Sequence, residues 1–198
     1  MTTPLTTTPR VVGATLRSFI CAYERYVEEP YRLGQFVSVR EAGRAVYGVV
    51  AEIESGPEDP TRPISPQEAP GLGAAEYLAA RPELRLLLRT RLSVLACGHV
   101  DGEAVRAALP PVPPPLLAPV VPATDAEVVR LTGDGAFLAV LLAAPGCDDA
   151  ILAAAIRSAA ESFGPEGHAF RVRAGKELAR LLKAEPARLT TIIKAVTP

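Results

Sequence analysis

The sequence predicts an α+β protein in which a small antiparallel β-barrel at the N-terminal side is followed by a helical unit. Three observations point there. Residues 10–54 are rich in β-branched and aromatic residues and partly alternate apolar with polar. Seven prolines crowd the stretch from Pro110 to Pro122. Beyond it, helix-capping signals and helical spacing take over. The expected organisation is a flexible tail over 1–9, the barrel over 10–109, a proline-rich linker over 110–123 and a helical domain over 124–198.

The barrel elements can be taken in order. Arg10 to Phe19 and Ile20 to Val27 read as strands. Phe36 to Arg40 and Ala45 to Glu54 read as a hairpin across a short Gly-containing connection. Ser55 to Gly73 is dense in Pro and Gly and reads as an excursion loop. Ala74 to Ala80 fits a short helix stopped by Pro82. Leu84 to Gly98 reads as a strand bent near its middle, His99 to Glu103 as a turn, and Ala104 to Leu109 as one more strand. The proline density after that forbids helix and central strand and favours extended geometry.

In the second unit, Thr124 and Glu127 have the spacing of a capping box. Gly133 to Ala144, Asp148 to Phe163 and Ala174 to Ala184 read as helices. Asp148 and Asp149 favour the positive end of one of them. Pro186 opens the last helix, running to about Val196.

Composition narrows the function classes. Hydrophobic residues make up 48% of the 198 and charged residues 22%, so a packed core is affordable. The net charge of −1 gives no global pull toward nucleic acid or anionic lipid. The charge is uneven: residues 170–198 hold seven Lys or Arg against two Glu, and all three lysines of the chain, Lys176, Lys183 and Lys194. That is either a partner signal or a solvated helix surface. Cys21, Cys97 and Cys147 are odd in number and far apart, which indicates neither a zinc site nor a disulfide framework. The N-terminus has no secretory pattern. Proline-free apolar runs are too short to span a bilayer. A cytoplasmic protein with reduced thiols and no membrane contact is expected.

Several motifs resemble a known family. Val11-Val12-Gly13-Ala14-Thr15, Leu33-Gly34-Gln35-Phe36-Val37 and Val46-Tyr47-Gly48-Val49-Val50 follow one another as in the N-terminal HAS barrel of HerA-type ATPases and the ATP synthase. Cys97 to Glu103 and Pro119 to Glu127 resemble the way that barrel leads into its motor. The resemblance covers about the first two-thirds of the chain. It implies a module for self-association or protein docking, with a HerA-type ATPase or a nuclease complex as the partner, and a place near DNA processing and repair. The motor itself has no counterpart. A P-loop needs Gly-x-x-x-x-Gly-Lys-Ser/Thr. Here Gly175-Lys176 has Phe170 at the upstream glycine and Glu177 at the hydroxyl.

No catalytic constellation, cofactor fingerprint or metal set stands out. Cys97 and His99 are two ligands without a second pair. His168 reads as a loop residue. Glu24, Glu28 and Glu29 cluster without a nucleophile or base tied to them. Tyr23, Tyr26, Tyr31 and Phe36 with Arg25 and Arg32 read either as barrel core and rim or as a stacking surface for single strands. The expected role is a non-enzymatic assembly or adaptor module. The alternative is a DNA-binding accessory protein. Lys176 to Ile193 has helix-turn-helix spacing, with Ala179 at the crossing, Leu178, Leu182, Leu189 and Ile192 as shared core, and Arg188, Thr190, Thr191 and Lys194 facing nucleic acid. The other reading of that stretch is an ordinary helical hairpin.

The purified protein is expected neither to bind nor to hydrolyse ATP. A turnover assay checks this, and measurable hydrolysis that disappears with Lys176→Ala would overturn it.

Overall fold

The computed structural model describes residues 8–28, 30–62, 64–65 and 71–197. Residues 1–7 of the expected tail, Glu29 of the carboxylate cluster and 63 and 66–70 of the excursion loop lie outside the described residues. The fold is mixed: a curled antiparallel sheet and seven helices. Its strands are β1 (Arg10–Ala14), β2 (Ser18–Ala22), β3 (Phe36–Glu41), β4 (Arg44–Pro57), β5 (Leu88–Asp101), β6 (Ala104–Arg106) and β7 (Val120–Pro122). The helices are α1 (Ala74–Ala80), α2 (Leu84–Leu87), α3 (Asp125–Thr132), α4 (Ala136–Leu142), α5 (Asp149–Ser162), α6 (Gly167–Leu181) and α7 (Pro186–Val196). No helix is long and apolar enough to cross a membrane among the described residues.

The sheet runs β1-β2-β5-β4-β3-β7, and β6 adds to the end of β5. All its pairs are antiparallel. Its two ends approach each other. Val11 N–H donates to Ala118 O at 3.1 Å, Leu117 N–H to Val11 O at 2.7 Å and Val120 N–H to Pro9 O at 2.9 Å. The hairpin of β3 and β4 turns on Ala42 and Gly43, both with positive φ (50° and 77°), the backbone of the tight turn whose twist matches the strands.

The middle of the sheet, over β3, the first half of β4 and the second half of β5, is buried on both faces. Its concave face holds one apolar cluster, built from Val11, Phe19, Val37, Val39, Val50, Leu92 and Val94 among others. The opposite face of β3, β4 and β5 gives Phe36, Tyr47, Val49, Leu95 and Cys97 to a second cluster, which the helices complete with Phe137, Leu141, Leu152, Ile156, Phe170 and Leu178. Strands covered on both sides read as continuous apolar runs, and Val94 to Cys97 does. Two glycines make room for this. A Cβ at Gly48 would stand 2.5 Å from Val94 Cγ1, and one at Gly98 would stand 2.3 Å from Leu131 Cδ1.

Glu127 joins sheet to helices. One carboxylate oxygen accepts from Thr124 N–H at 2.9 Å, closing the start of α3. The other accepts the Tyr47 hydroxyl at 2.8 Å and pairs with the Arg40 guanidinium. The capping signal therefore also pins α3 to β3 and β4.

Several elements differ from the sequence expectation. β1 and β2 are shorter, because Thr15 turns the chain: its hydroxyl accepts from Ser18 N–H at 3.0 Å. β4 continues to Pro57 and takes the start of the expected loop. Leu84–Leu87 is a helical turn rather than the first half of a strand. Of the expected turn at 99–103, residues 99–101 belong to β5. The end of the proline-rich stretch is strand β7, which proline tolerates because β7 lies at the end of the strand order. α6 begins at Gly167, not Ala174, and so takes in the expected loop residue His168.

Glu127→Ala is expected to cost about 1–3 kcal/mol, since it removes a cap and leaves the buried Tyr47 hydroxyl without its acceptor. Urea unfolding should show a lower midpoint with an unchanged slope. A midpoint equal to that of the wild type would refute the tie.

Candidate functional site

The last two helices place the residues expected to meet nucleic acid. Leu178, Leu182 and Ile192 are buried and Leu189 packs against them, as the helix-turn-helix spacing requires. Ala179, expected at the helix crossing, is exposed; Gly175 instead lies next to α7, 3.3 Å from Ile193 Cδ1 for a Cβ built there. The four outward residues are not equally free. Arg188 is ion-paired to Asp149 at 2.7 Å and Glu185 at 3.3 Å. The Thr190 hydroxyl donates to Pro186 O at 2.9 Å and the Thr191 hydroxyl to Ala187 O at 3.2 Å, both within their own helix. Lys194 is exposed and makes no hydrogen bond or ion pair among the described residues. The four do not form one open set of donors.

The aromatic set does not form one surface either. Tyr23 belongs to the concave cluster and Phe36 to the helix-side cluster. Tyr31 meets Tyr23 edge-on at 6.1 Å and donates its hydroxyl to Val120 O at 3.0 Å. Burial, then the neighbouring Tyr23, pushes the Tyr31 phenol up to about 12. Arg25 and Arg32 are exposed.

A cleft of about 820 Å³ lies between the loop before β3, the start of α3 and α5. Tyr31, Arg32, Gln35, Asp125, Arg157, Ser158 and Glu161 line it. Two guanidinium groups and two carboxylates share it. Arg157 already donates to Ala195 O at the end of α7. Gly34 packs against Ala154, which lines the cleft: its φ is +79°, and a Cβ there would stand 2.4 Å from the Ala154 carbonyl carbon. No hydroxyl in this lining is hydrogen-bonded to a base among the described residues.

The other sequence candidates are dispersed. Cys97 is fully buried in the helix-side core, while His99 Nδ1 stands 3.2 Å from Ala108 O. Glu24 is exposed and Glu28 pairs with Arg85 at 3.3 Å. No group of three or more His, Cys, Asp or Glu that could hold a metal occurs among the described residues. Gly175-Lys176 lies within α6, so its backbone N–H groups are spent on helix bonds and cannot cradle a phosphate.

Two further surface features stand out. From Glu52 onward β4 pairs with β5 alone, because β3 pairs only as far as Val49. And Arg173, Lys176, Arg180 and Lys183 stand exposed along α6 and the turn after it. Lys176, Arg180 and Lys183 fall within the helix expected over 174–184, and Arg173 joins them because α6 starts at Gly167. No protein-family model matches the chain, and no curated protein matches it in sequence.

All three thiols hold their protons at neutral pH. Burial pushes Cys21 up to about 12 and Cys97 well above the ordinary thiol range; burial, then the Asp148 carboxylate, pushes Cys147 up to about 11. A raised pKa favours the folded state below the ordinary value of 9.0, and for Cys147 that contribution is lost as pH climbs through about 11. Disulfide-exchange labelling of native protein at pH 8 should therefore be slow, take Cys147 first and speed up with pH. Fast labelling of Cys21 or Cys97 before unfolding would refute the burial argument.

Proposed function

We propose that the chain is a non-enzymatic assembly or adaptor module. In this reading the curled sheet works as a closed small barrel of the HAS type, without a motor, and docks by strand addition. The observation that carries it is the open half of β4. Glu58 N–H donates to Leu87 O at 2.8 Å, and antiparallel ladders alternate. Ile53 and Ser55 therefore turn their N–H and C=O groups away from β5, toward a side with no partner among the described residues. Side chains 52–55 are exposed. An open, β-prone edge is a template for another strand.

Supporting features agree. The three hydrogen bonds between the β1 side and the segment leading into β7 tie the two ends of the sheet together, while this stretch of β4 stays an accessible edge. Val12, Leu16 and Ile20 give the β1–β2 hairpin an exposed apolar tip at 49%, 44% and 45% exposure. Glu52 and Glu54 flank the open backbone, so two identical edges would oppose like charges. A partner strand carrying Lys or Arg suits it better, and a HerA-type ATPase or nuclease complex is the partner class the barrel resemblance suggests. Recognition of DNA through Arg188, Thr190, Thr191 and Lys194 has less support, since three of the four are already committed within the fold.

Light scattering coupled to size exclusion, with capture from native lysate, tests the reading. A complex is expected, either a second copy or another chain. Ile53→Pro should abolish it while sparing the β5 ladder, because proline removes only the outward N–H there. A monomer at every concentration with no captured partner would sink the adaptor.

A further inference from the structure

The outward side of α6 carries a row of cations that the fold does not use. Arg173, Lys176, Arg180 and Lys183 are all exposed. Residues three and four apart share a helix face, so Arg173, Lys176 and Arg180 lie in one line on α6, and Lys183 follows in the turn after it. At the helical rise the three on the helix span roughly 10 Å. The helix cannot roll to hide it, because Phe170, Ala174 and Leu178 on the other side are locked in the core.

Little holds these charges. Lys176 and Lys183 make no hydrogen bond or ion pair among the described residues. Arg180 pairs with Glu177 at 2.6 Å, an exposed contact of the kind that contributes little. Arg173 is held in place differently. Its guanidinium lies 5.5 Å from the Phe163 ring and 5.9 Å from the Phe170 ring, which stack on each other at 4.4 Å. A cation–π contact leaves the N–H donors for another partner.

The geometry points to this face as a docking surface for the phosphate backbone of double-stranded DNA. That goes beyond the adaptor reading and stands or falls without it. Evenly spaced cations match a row of phosphates. No exposed aromatic ring stands among them, so unpaired bases find no platform to stack on. Residues 164–183 contain no Asn or Gln to read adenine edges, and a row of cations suits the phosphate backbone. The exposed apolar residues beside the cations on α6 are Ala169, Val172 and Ala179, too little for insertion into a lipid surface. Duplex RNA hides its major groove in a deep, narrow form that a helix does not enter.

The test is fluorescence anisotropy with a short labelled DNA duplex and the full chain. Binding should be tight enough to see at about 50 mM salt and should fade toward about 200 mM, with a log–log slope near −4 for four phosphate contacts. Lys176→Ala with Lys183→Ala breaks no contact within the described fold. It should weaken binding roughly tenfold or more and lower the slope by about two, equally for duplexes of unrelated sequence. Arg17→Ala, an exposed cation on the β1–β2 turn, and Ile53→Pro, on the open edge, should leave binding unchanged. Four results would overturn the assignment: no binding at low salt; full binding by the double lysine variant; loss only in Arg188→Ala with Lys194→Ala; or capture by phosphatidylserine vesicles in place of DNA.

Discussion

Burial of β3, β4 and β5 on both faces is the constraint on which the rest of the molecule depends. A sheet covered on one side can be finished by water. This one cannot: Tyr47, Val49 and Leu95 need the helices as much as Val37, Val50 and Val94 need the curl of the sheet. Phe137, Leu141 and Ile156 are meaningful only against that second face. The helices cannot drift from the strands without opening an apolar surface larger than monomers ordinarily expose.

The functional surfaces follow from this arrangement. α5 lies at the centre of the helical layer, with Ala153, Ala154 and Ala155 letting neighbours come close. α6 is thereby pushed outward and shows one face to solvent. A run of rings connects the two regions: Phe36 to Phe137 at 6.1 Å, Phe137 to Phe170 at 6.5 Å, and Phe170 to Phe163 at 4.4 Å. It starts on the sheet and ends beneath Arg173. The same curl that draws β1 toward β7 leaves the far half of β4 without a neighbour, so the open edge and the cationic face come from one packing solution.

Local chemistry made part of this legible in the sequence. The β3–β4 hairpin, α1, the Thr124 and Asp148 caps and the proline start of α7 are where the spacing placed them. What was hidden has physical reasons. Gly164, Pro165 and Gly167 read as a break, yet they form a tight turn leading straight into α6. Gly167 is needed there because a Cβ would stand 2.3 Å from the Ala160 carbonyl oxygen. β7 was hidden by its prolines, which a terminal strand accepts. Arg188 looked free because its partner Asp149 is distant in sequence. Of the cations along α6 only Arg173 lay outside the expected helix, by one residue, and how far β4 stays open depends on where β3 ends, which no local pattern records.

Two-sided burial also changes how strand register is chosen. In an ordinary half-exposed sheet, sliding one strand by a single residue sends its apolar side chains into water, and polarity alone forbids the error. Here both sides are greasy, so polarity discriminates weakly between the right alignment and its neighbour. Volume must do it instead. Gly48 under Val94 and Gly98 under Leu131 are places where only a hydrogen fits, and a slipped strand would thrust a side chain into them. These two vacancies of bulk act as a key cut into the strands, telling the chain which of two equally oily alignments is its own.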